Sequence, residues 1–262
     1  MGIYIVYKPI GFTPNQIIDF LKEKLKKNKL SFCGRLDPMA CGLMMVLSEE
    51  TIKFQDNYLT LDKIYKFDLI LGVSTDTYDI LGLSSKPTIS DITNIENIIV
   101  NFSEVKEKFI GDFDQEYPPY SSIHVRHEKY GRQALWWYAK NNKLNKINIP
   151  SKTVNIKSFK NSDYELINFK DFYYIVKDRI SLLRNTSNNF RQDEIMEHWL
   201  ILSELYPNYK IIKISCELNV SSGCYIRSIA NSIGNILKTG GLALDITRIK
   251  LGNYYNENIN LD

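Results

Sequence analysis

Residues 33–42, which read Cys-Gly-Arg-Leu-Asp-Pro-Met-Ala-Cys-Gly, constrain the fold of this chain more than any other segment. The two glycines allow backbone angles that a side chain would forbid, and Pro38 fixes the angle directly after Asp37. The apolar run from Leu43 to Leu47 follows at once and predicts a strand. A carboxylate on such a loop is held by structure on both sides and can still be reached from solvent, which suits a nucleophile or a proton carrier. Capping of a turn is the commoner role of a loop aspartate, so other segments must decide between the two.

Positive charge is concentrated in two segments, although the formal net charge is only +3. Between His124 and Lys160 there are nine lysines and arginines and a single acidic residue. A shorter run from Lys22 to Lys29 carries five lysines and one glutamate just ahead of the Asp37 loop. Either segment alone would be an ordinary solvated surface, but the two together favour a polyanionic partner.

Neither a membrane span nor a secretion signal is visible in the sequence. No apolar run approaches the ~20 residues that a bilayer-spanning helix needs, and the amino terminus enters a strand without a signal-peptide pattern. The four cysteines lack the close-pair spacing of a metal site, which predicts reduced thiols. We therefore expect a cytoplasmic protein, and we expect it to be a monomer.

Candidate metal ligands are few. His124 and His127 are three residues apart, but the nearest cysteine is far along the chain, so a zinc site is the weakest interpretation. Asp76 and Asp79 lie in a polar turn and could resemble magnesium ligands. We interpret them as turn caps, because no Gly-rich phosphate-binding loop accompanies them. We expect no metal and no organic cofactor.

Hydrophobic periodicity predicts mixed α and β structure in one domain. Thr13 is expected to cap a helix that begins at Pro14, with Gln16 completing a capping box. The other expected elements are strands at 2–7, 63–71, 164–169, 172–176 and 210–220, and helices at 91–102 and 195–205.

An unexpected cation occurs where the last of these strands gives way to another helix. Tyr225 and Arg227 are expected in the first turn of that helix. The helix dipole favours anions at an amino terminus, so an arginine there suggests a specific carboxylate or phosphate opposite it. A solvated surface arginine is the alternative.

Five segments, taken in order, resemble the TruB-type tRNA pseudouridine synthases. Residues 8–13 (Lys-Pro-Ile-Gly-Phe-Thr) are similar to the family's opening Lys-Pro-x-Gly-x-Thr. Residues 34–42 are similar to its catalytic loop, Gly-x-Leu-Asp-Pro-x-Ala-x-Gly. The other similar segments are 63–82, 109–122 and 222–229, with Arg248 and Gly252 downstream. The resemblance extends from about residue 2 to residue 252 and is weak near 155–210.

The resemblance implies the α+β pseudouridine synthase fold, in which helices flank a mixed and mainly antiparallel central sheet. It also implies isomerisation of the T-loop uridine of tRNA, position 55, to pseudouridine, with the base flipped out of the folded RNA. Asp37 falls on the nucleophilic aspartate, and Arg227 falls on the arginine that pairs with it. Tyr65 falls on the tyrosine that stacks against the flipped base. Tyr225 and Ile246 fall on residues that line the base pocket.

The chain departs from the family pattern at two positions. Phe32 stands where a histidine is usual, and Arg35 makes the loop Arg-Leu-Asp, as in ribosomal RNA pseudouridine synthases. We hypothesise that Phe32 and Arg35 together hold the strand that base flipping displaces. We also expect residues 1–262 to form one catalytic domain without the small carboxy-terminal RNA-binding (PUA-like) domain of many relatives. The basic segment at about 115–160 would then act as a clamp over the T-arm of tRNA.

Two other functions remain open from the sequence. Arg35 suggests a pseudouridine synthase that acts on ribosomal RNA, although the capped helix and the 71–82 segment argue against it. A non-catalytic RNA-binding or RNA-folding module is the second alternative. The presence of Asp37, Tyr65 and Arg227 argues against that module, because it would have no need of these three side chains.

Overall fold

The computed structural model describes residues 2–89, 94–183 and 190–255. Within those ranges the strands are β1 (Gly2–Lys8), β2 (Leu30–Cys33), β3 (Cys41–Ser48), β4 (Lys63–Leu71), β5 (Gly111–Glu116), β6 (His124–His127), β7 (Gly131–Ala134), β8 (Ser151–Asn168), β9 (Lys210–Val220), β10 (Gly241–Leu251) and β11 (Tyr254–Tyr255). The α-helices there are α1 (Pro14–Leu25), α2 (Gln55–Leu59), α3 (Ile95–Glu107), α4 (Leu135–Lys140), α5 (Phe169–Ser181), α6 (Gln192–Leu205) and α7 (Ile226–Ile236). Short 3-10 helices occur at Glu49–Phe54 and Leu144–Lys146.

The main sheet has the strand order β1-β3-β10-β4-β9-β8-β5, with β2 paired to β3 and β11 paired to β10. The pair β3–β10 is parallel, and the other pairs in this sheet are antiparallel. β6 and β7 form a separate antiparallel hairpin. The expected α+β fold, with a mixed and mainly antiparallel sheet, is therefore confirmed.

Helix α1 begins as its sequence predicts. The Gln16 N–H donates to Thr13 Oγ1 at 3.3 Å, and the Thr13 N–H donates to Gln16 Oε1 at 2.8 Å, which completes the capping box. The apolar stripe of the helix is buried against β3 through Ile17, Ile18 and Leu21. This packing anchors the chain immediately before the Asp37 loop.

Helices cover both faces of the central sheet. On one face α3 and α7 share a core with β4 and β9, centred on Leu69 and Ile214. On the other face α5 and α6 share a core with Ile70 of β4 and Ile211 of β9, and this core includes the fully buried Trp199 of α6. Ile70 lies on the opposite face from Leu69 because successive side chains of a strand alternate between faces. No helix among the described residues is long and apolar enough to cross a membrane.

One expected strand is wrong. Residues 172–176 belong to helix α5, although their aromatic and β-branched composition favours a strand locally. The buried side chains of this helix recur at the spacing of an amphipathic helix, and they are Phe169, Phe172, Tyr173, Val176 and Ile180.

The other expected elements differ from the observed ones only at their ends. The strand expected at 164–169 is the end of the much longer β8, and the helix expected at 195–205 lies within α6. The helix expected at 91–102 corresponds to α3 from Ile95 onward. Residues 91–93 lie outside the described residues.

Candidate active site

A cavity of about 640 Å³ opens where the Asp37 loop meets the beginning of α7. Its volume is within the range of about 300–1,000 Å³ typical of ligand sites. Six of the seven predicted site residues line it, namely Arg35, Asp37, Tyr65, Tyr225, Arg227 and Ile246. Phe32 does not.

The Asp37 loop is held by backbone hydrogen bonds at its centre and by close packing at Gly42. The Ala40 N–H donates to the Asp37 carbonyl oxygen at 3.0 Å, and the Gly11 N–H donates to the Pro38 carbonyl oxygen at 2.9 Å. Gly42 has φ +108°, and a Cβ there would lie 2.3 Å from the Arg248 carbonyl oxygen. The loop therefore depends on a glycine at this position, because a side chain would meet backbone atoms of β10.

The carboxylate predicted opposite Arg227 is Asp37. Nε of Arg227 donates to Asp37 Oδ2 at 2.8 Å, although the two residues are 190 positions apart. The side chain of Arg227 is 3% exposed and that of Asp37 is 29% exposed. The cation at the start of α7 thus has a specific partner that faces the cavity, and it is not a solvated surface arginine.

The remaining nitrogens of Arg227 are fixed by backbone carbonyls. Nη1 donates to the carbonyl oxygen of Thr77, and Nη2 donates to that of Tyr120 at 3.4 Å. Nε also lies 3.7 Å from Asp79 Oδ2. Burial lowers the pKa of Arg227, but Asp37 and Asp79 outweigh it, so the pKa is raised and the group stays charged.

Asp79, which the sequence predicted only as a turn cap, also lies in the site. That assignment is confirmed, because Asp79 Oδ1 accepts from the Leu81 N–H at 2.9 Å and Asp76 Oδ1 accepts from the Leu83 N–H at 2.9 Å. Asp79 is also buried behind Arg227. Burial raises its pKa, whereas the Arg227 guanidinium and the Thr77 hydroxyl oppose that shift.

Arg248 braces the floor of the cavity and was recognised from the sequence only as part of a motif. It is fully buried, and its Nε donates to the Leu43 carbonyl oxygen at 2.6 Å. Nη2 donates to the Gly34 carbonyl oxygen at 3.1 Å, and Nη1 donates to the Tyr65 hydroxyl at 3.4 Å. One guanidinium therefore joins both ends of the Asp37 loop to the tyrosine on β4.

Tyr225 is held through its backbone. The Tyr225 N–H donates to Gln115 Oε1 at 2.7 Å, and Gln115 Nε2 donates to the Tyr225 carbonyl oxygen at 3.0 Å. The rings of Tyr225 and Tyr117 meet edge to face, with centroids 5.6 Å apart. Burial raises the pKa of Tyr225 to about 12, so its hydroxyl remains protonated near neutral pH.

Phe32 lies beside the cavity, in an adjoining groove of about 380 Å³ between α1 and β2. Asn15 lines both the groove and the cavity. The guanidinium carbon of Arg35 lies 5.4 Å from the centroid of the Phe32 ring. These two predicted residues thus contact each other at the boundary between the groove and the cavity.

The basic clamp expected at about 115–160 forms part of the cavity wall through Trp136, Lys140 and Lys152. Trp136 is 44% exposed, and the Lys140 ammonium lies 5.8 Å from the centroid of its ring. Tyr138, from the same aromatic run, is instead fully buried. Trp136 is therefore a ring of this run that an RNA base could stack upon.

The cavity has a strong excess of positive charge. Among the described residues its lining contains two carboxylates, those of Asp37 and Asp79, and seven cations. The cations are Arg35, Lys63, Lys140, Lys152, Arg191, Arg227 and Arg248. Across residues 2–89, 94–183 and 190–255, no three His, Cys, Asp or Glu side chains are grouped as metal ligands would be.

Lys8 is a buried cation that holds the turn before α1. Its side chain is fully buried, and its Nζ donates to the carbonyl oxygens of Phe12 at 2.6 Å and Pro38 at 3.4 Å. Burial lowers its pKa to about 8, against weaker opposite effects from Cys41 and Asp37.

This shift predicts a pH-dependent effect of Lys8→Met. Between about pH 8 and pH 10.5 the unfolded chain binds a proton at Lys8 that the folded protein has released, so the contribution of Lys8 to stability rises with pH. The gain is complete above the unfolded pKa and is lost as pH falls through about 8. The free energy of unfolding of the wild type relative to the variant should increase by about 3 kcal/mol across this window. Urea unfolding of both proteins at about pH 8 and at about pH 10.5 measures this increase. The same difference in unfolding free energy at both pH values would contradict the prediction. Lys177→Met, at an exposed site on α5, is the control.

Comparison with known proteins identifies the family. Residues 22–176, more than half of the chain, match the family described as TruB family pseudouridylate synthase (N terminal domain). The chain belongs to the TruB family. The Asp37 loop lies within the matched residues, whereas Arg227 lies beyond them.

Similar sequences carry one shared description. The tRNA pseudouridine synthase B of Thermotoga maritima is 28% identical over 251 residues, which is 96% of this chain and 63% of that protein. The tRNA pseudouridine synthases B of Fusobacterium nucleatum and Aquifex aeolicus are each 29% identical to this chain. The first match covers 97% of this chain and the second 95%, and each covers 68% of the relative. The TruB-family chain described here thus spans about two thirds of the length of these relatives.

Similar solved structures support the fold alone. One chain of a Cbf5-Nop10-Gar1 complex superposes on this chain with a TM-score of 0.55 and 16% sequence identity. The matched region is 97% of this chain and 50% of that chain. One chain of an H/ACA RNP bound to a substrate RNA containing 2′-deoxyuridine superposes with a TM-score of 0.52 and 15% sequence identity. The matched region is 97% of this chain and 48% of that chain.

Proposed function

We propose that this chain isomerises the T-loop uridine of tRNA, position 55, to pseudouridine, as a cytoplasmic enzyme that uses Asp37 as its nucleophile. The observation that carries the proposal is the contact between Asp37 and Arg227 at 2.8 Å, within a cavity of about 640 Å³. The family and the shared description of the relatives support the reaction class and the choice of tRNA.

The reaction moves one bond and needs no oxidant or reductant. The glycosidic bond from N1 of the uracil to C1′ of the ribose breaks, the base turns, and C5 of the uracil bonds to C1′ instead. C5 then gives up its proton and N1 takes one up, so the product is an isomer of the substrate. A carboxylate nucleophile can hold the detached fragment covalently while the base turns. Arg227 orients Asp37 for this step, because the guanidinium is itself fixed by the Thr77 and Tyr120 carbonyls.

The pocket around Asp37 suits a flipped pyrimidine base. Tyr65 is available to stack on the ring, and Tyr225 and Ile246 bound the space beside it. Flipping a base out of folded RNA costs a few kcal/mol, which stacking and a shaped pocket can offset. Ordering of Tyr65 by Arg248 and of Tyr225 by Gln115 reduces the entropy that the protein loses on binding.

The charge of the cavity wall suits an RNA backbone. The lining has an excess of cations, and among them the basic clamp supplies the exposed Lys140 and Lys152 beside the exposed Trp136. Lysines that neutralise phosphates make binding fall with salt, by roughly 0.7–0.9 log units of affinity per contact per log unit of salt. We assign the T-arm of tRNA to this surface.

The test is incubation of the purified protein with an unmodified tRNA transcript, followed by mapping of pseudouridine to a nucleotide. We expect one pseudouridine, at position 55 in the T loop, and none in a matched transcript that carries cytidine there. A ribosomal RNA transcript serves as the competing substrate. Product in ribosomal RNA alone would favour the first alternative, and RNA binding without product in either transcript would favour a non-catalytic module.

Phe32 and Arg35 are expected to act in RNA binding rather than in chemistry. Because the two side chains contact each other beside the cavity, Phe32→Ala and Arg35→Ala should each raise KM, by roughly tenfold for the loss of one stacked ring. The kcat should change less, since among the described residues neither side chain forms a hydrogen bond or ion pair with Asp37. Steady-state kinetics on the transcript measure both constants. If each variant binds and modifies tRNA normally, these residues do not hold the displaced strand.

A further inference from the structure

The connection between β8 and β9 is much longer than the sheet requires. These strands are antiparallel neighbours, and Asn168 pairs with Lys210 at their ends. A turn of two residues can join such a pair, yet 41 residues (169–209) intervene, and the described part of them contains α5 and α6. We call residues 169–183 and 190–209 the excursion.

The excursion docks against the walls of the active site. Trp199 Nε1 donates to the Gly82 carbonyl oxygen at 3.2 Å, which ties α6 to the segment that holds Asp76 and Asp79. Met39, two residues after the nucleophile, belongs to the same core as α5 and α6. At Gly11, a Cβ would lie 1.9 Å from the carbonyl oxygen of Leu182, so the excursion also packs closely on the turn before α1.

The excursion also delivers Arg191 to the cavity. Nη2 of Arg191 donates to Asp76 Oδ2 at 2.8 Å, and its guanidinium carbon lies 4.8 Å from the centroid of the Tyr120 ring. The Tyr120 hydroxyl donates to the same Asp76 oxygen at 3.2 Å. Arg191 has φ +61°, a conformation that residues other than glycine rarely adopt and that the surrounding contacts must hold.

These contacts lead directly to Arg227. Its two backbone acceptors are the carbonyl oxygens of Thr77 and Tyr120. Thr77 follows Asp76 in the chain, and Asp76 is the ion-pair partner of Arg191, whereas Tyr120 lies under the Arg191 guanidinium. Arg191 thus holds the residue next to one acceptor carbonyl, that of Thr77, and the ring of the residue that carries the other, Tyr120.

We propose that Arg191 is a positioning residue for the reaction: by holding Asp76 and Tyr120 it fixes the carbonyls that orient Arg227, and hence Asp37. The proposal rests on the proposed function for its kinetic consequences, but its structural consequence is independent of that function. A misplacement of reacting groups by about 1 Å can cost ~100-fold in rate. Arg191 therefore affects kcat through geometry and not by acting on the reacting atoms.

The experiment compares Arg191→Ala, Arg191→Lys and a control, Lys177→Ala, on the exposed surface of the same excursion. Arg191→Ala should lower kcat by roughly 10- to 100-fold with a smaller change in KM. Arg191→Lys keeps a cation opposite Asp76 but loses the planar stacking on Tyr120, so it should recover part of kcat. Lys177→Ala should match the wild type. Melting temperatures check that each variant is folded. If Arg191→Ala does not fold, the kcat of Arg191→Lys tests the proposal, and a value equal to that of the wild type would contradict it.

A crystal structure of Arg191→Ala supplies a readout that needs no activity. We expect Arg227 to leave at least one of its contacts with Asp37, Thr77 and Tyr120. Wild-type kcat in the folded variant would overturn the proposal, and so would a structure in which all three contacts persist. If the wild type forms no pseudouridine, the proposed function fails, and the crystal structure alone decides whether Arg191 positions Arg227.

Discussion

Asp37→Asn should abolish pseudouridine formation while RNA binding persists. The amide oxygen of asparagine can still accept from Nε of Arg227, which now donates to Asp37 Oδ2 at 2.8 Å, so the loop should keep its shape. A neutral amide cannot serve as the carboxylate nucleophile, and loss of a nucleophile typically costs about 10⁴-fold or more in kcat. Single-turnover mapping of pseudouridine with enzyme in excess measures the loss, and filter binding measures affinity.

The physical basis for retained binding is electrostatic. Removing one negative charge from a cavity with seven cations should leave RNA affinity unchanged or slightly higher, with the same salt dependence. Asp163→Asn, at an exposed position on β8, is the matched control and should leave both kcat and affinity as in the wild type. Product formation by Asp37→Asn at more than about a hundredth of the wild-type rate would exclude Asp37 as the nucleophile.

Local rules account for the parts of the site that the sequence predicted. The capping box of Thr13 and Gln16 satisfies backbone groups within one helical turn, so neighbouring letters suffice to recognise it. Arg227 was conspicuous because a cation conflicts with the dipole at the start of α7, and that conflict suggested a carboxylate or phosphate partner. The family resemblance, not periodicity, assigned that partner to the Asp37 loop.

The residues whose roles the sequence did not predict act through long-range contacts. Asp79 and Gln115 satisfy local or strand patterns on their own, and nothing in their neighbours shows that one faces Arg227 and the other holds Tyr225. Helix α5 was missed for a different reason. Its run of aromatic and β-branched residues favours a strand locally, but burial at helical spacing against α6 outweighs that preference.

Arg227→Met should destabilise the protein as well as inactivate it. The substitution would remove the guanidinium whose Nε lies 3.7 Å from Asp79 Oδ2, and Asp79, with its side chain 8% exposed, would lose its buried cation. Removing one partner of a buried ion pair typically costs about 3–5 kcal/mol, because the other charge remains desolvated. Urea unfolding at pH 7 should therefore show a loss of this size, together with loss of detectable product.

The pH dependence and a double variant identify the cause of that loss. Burial already raises the pKa of Asp79, and removal of the opposing Arg227 raises it further. A carboxyl whose folded pKa exceeds its unfolded value contributes stability at low pH that is lost as pH rises through the folded pKa. The difference in unfolding free energy between wild type and Arg227→Met should thus be smaller at pH 4 than at pH 7.

Adding Asp79→Asn to Arg227→Met should recover part of the stability at pH 7 but none of the activity, because Asp37 still lacks its guanidinium. If the loss is equal at both pH values and Asp79→Asn recovers nothing, an uncompensated charge at Asp79 is not its origin.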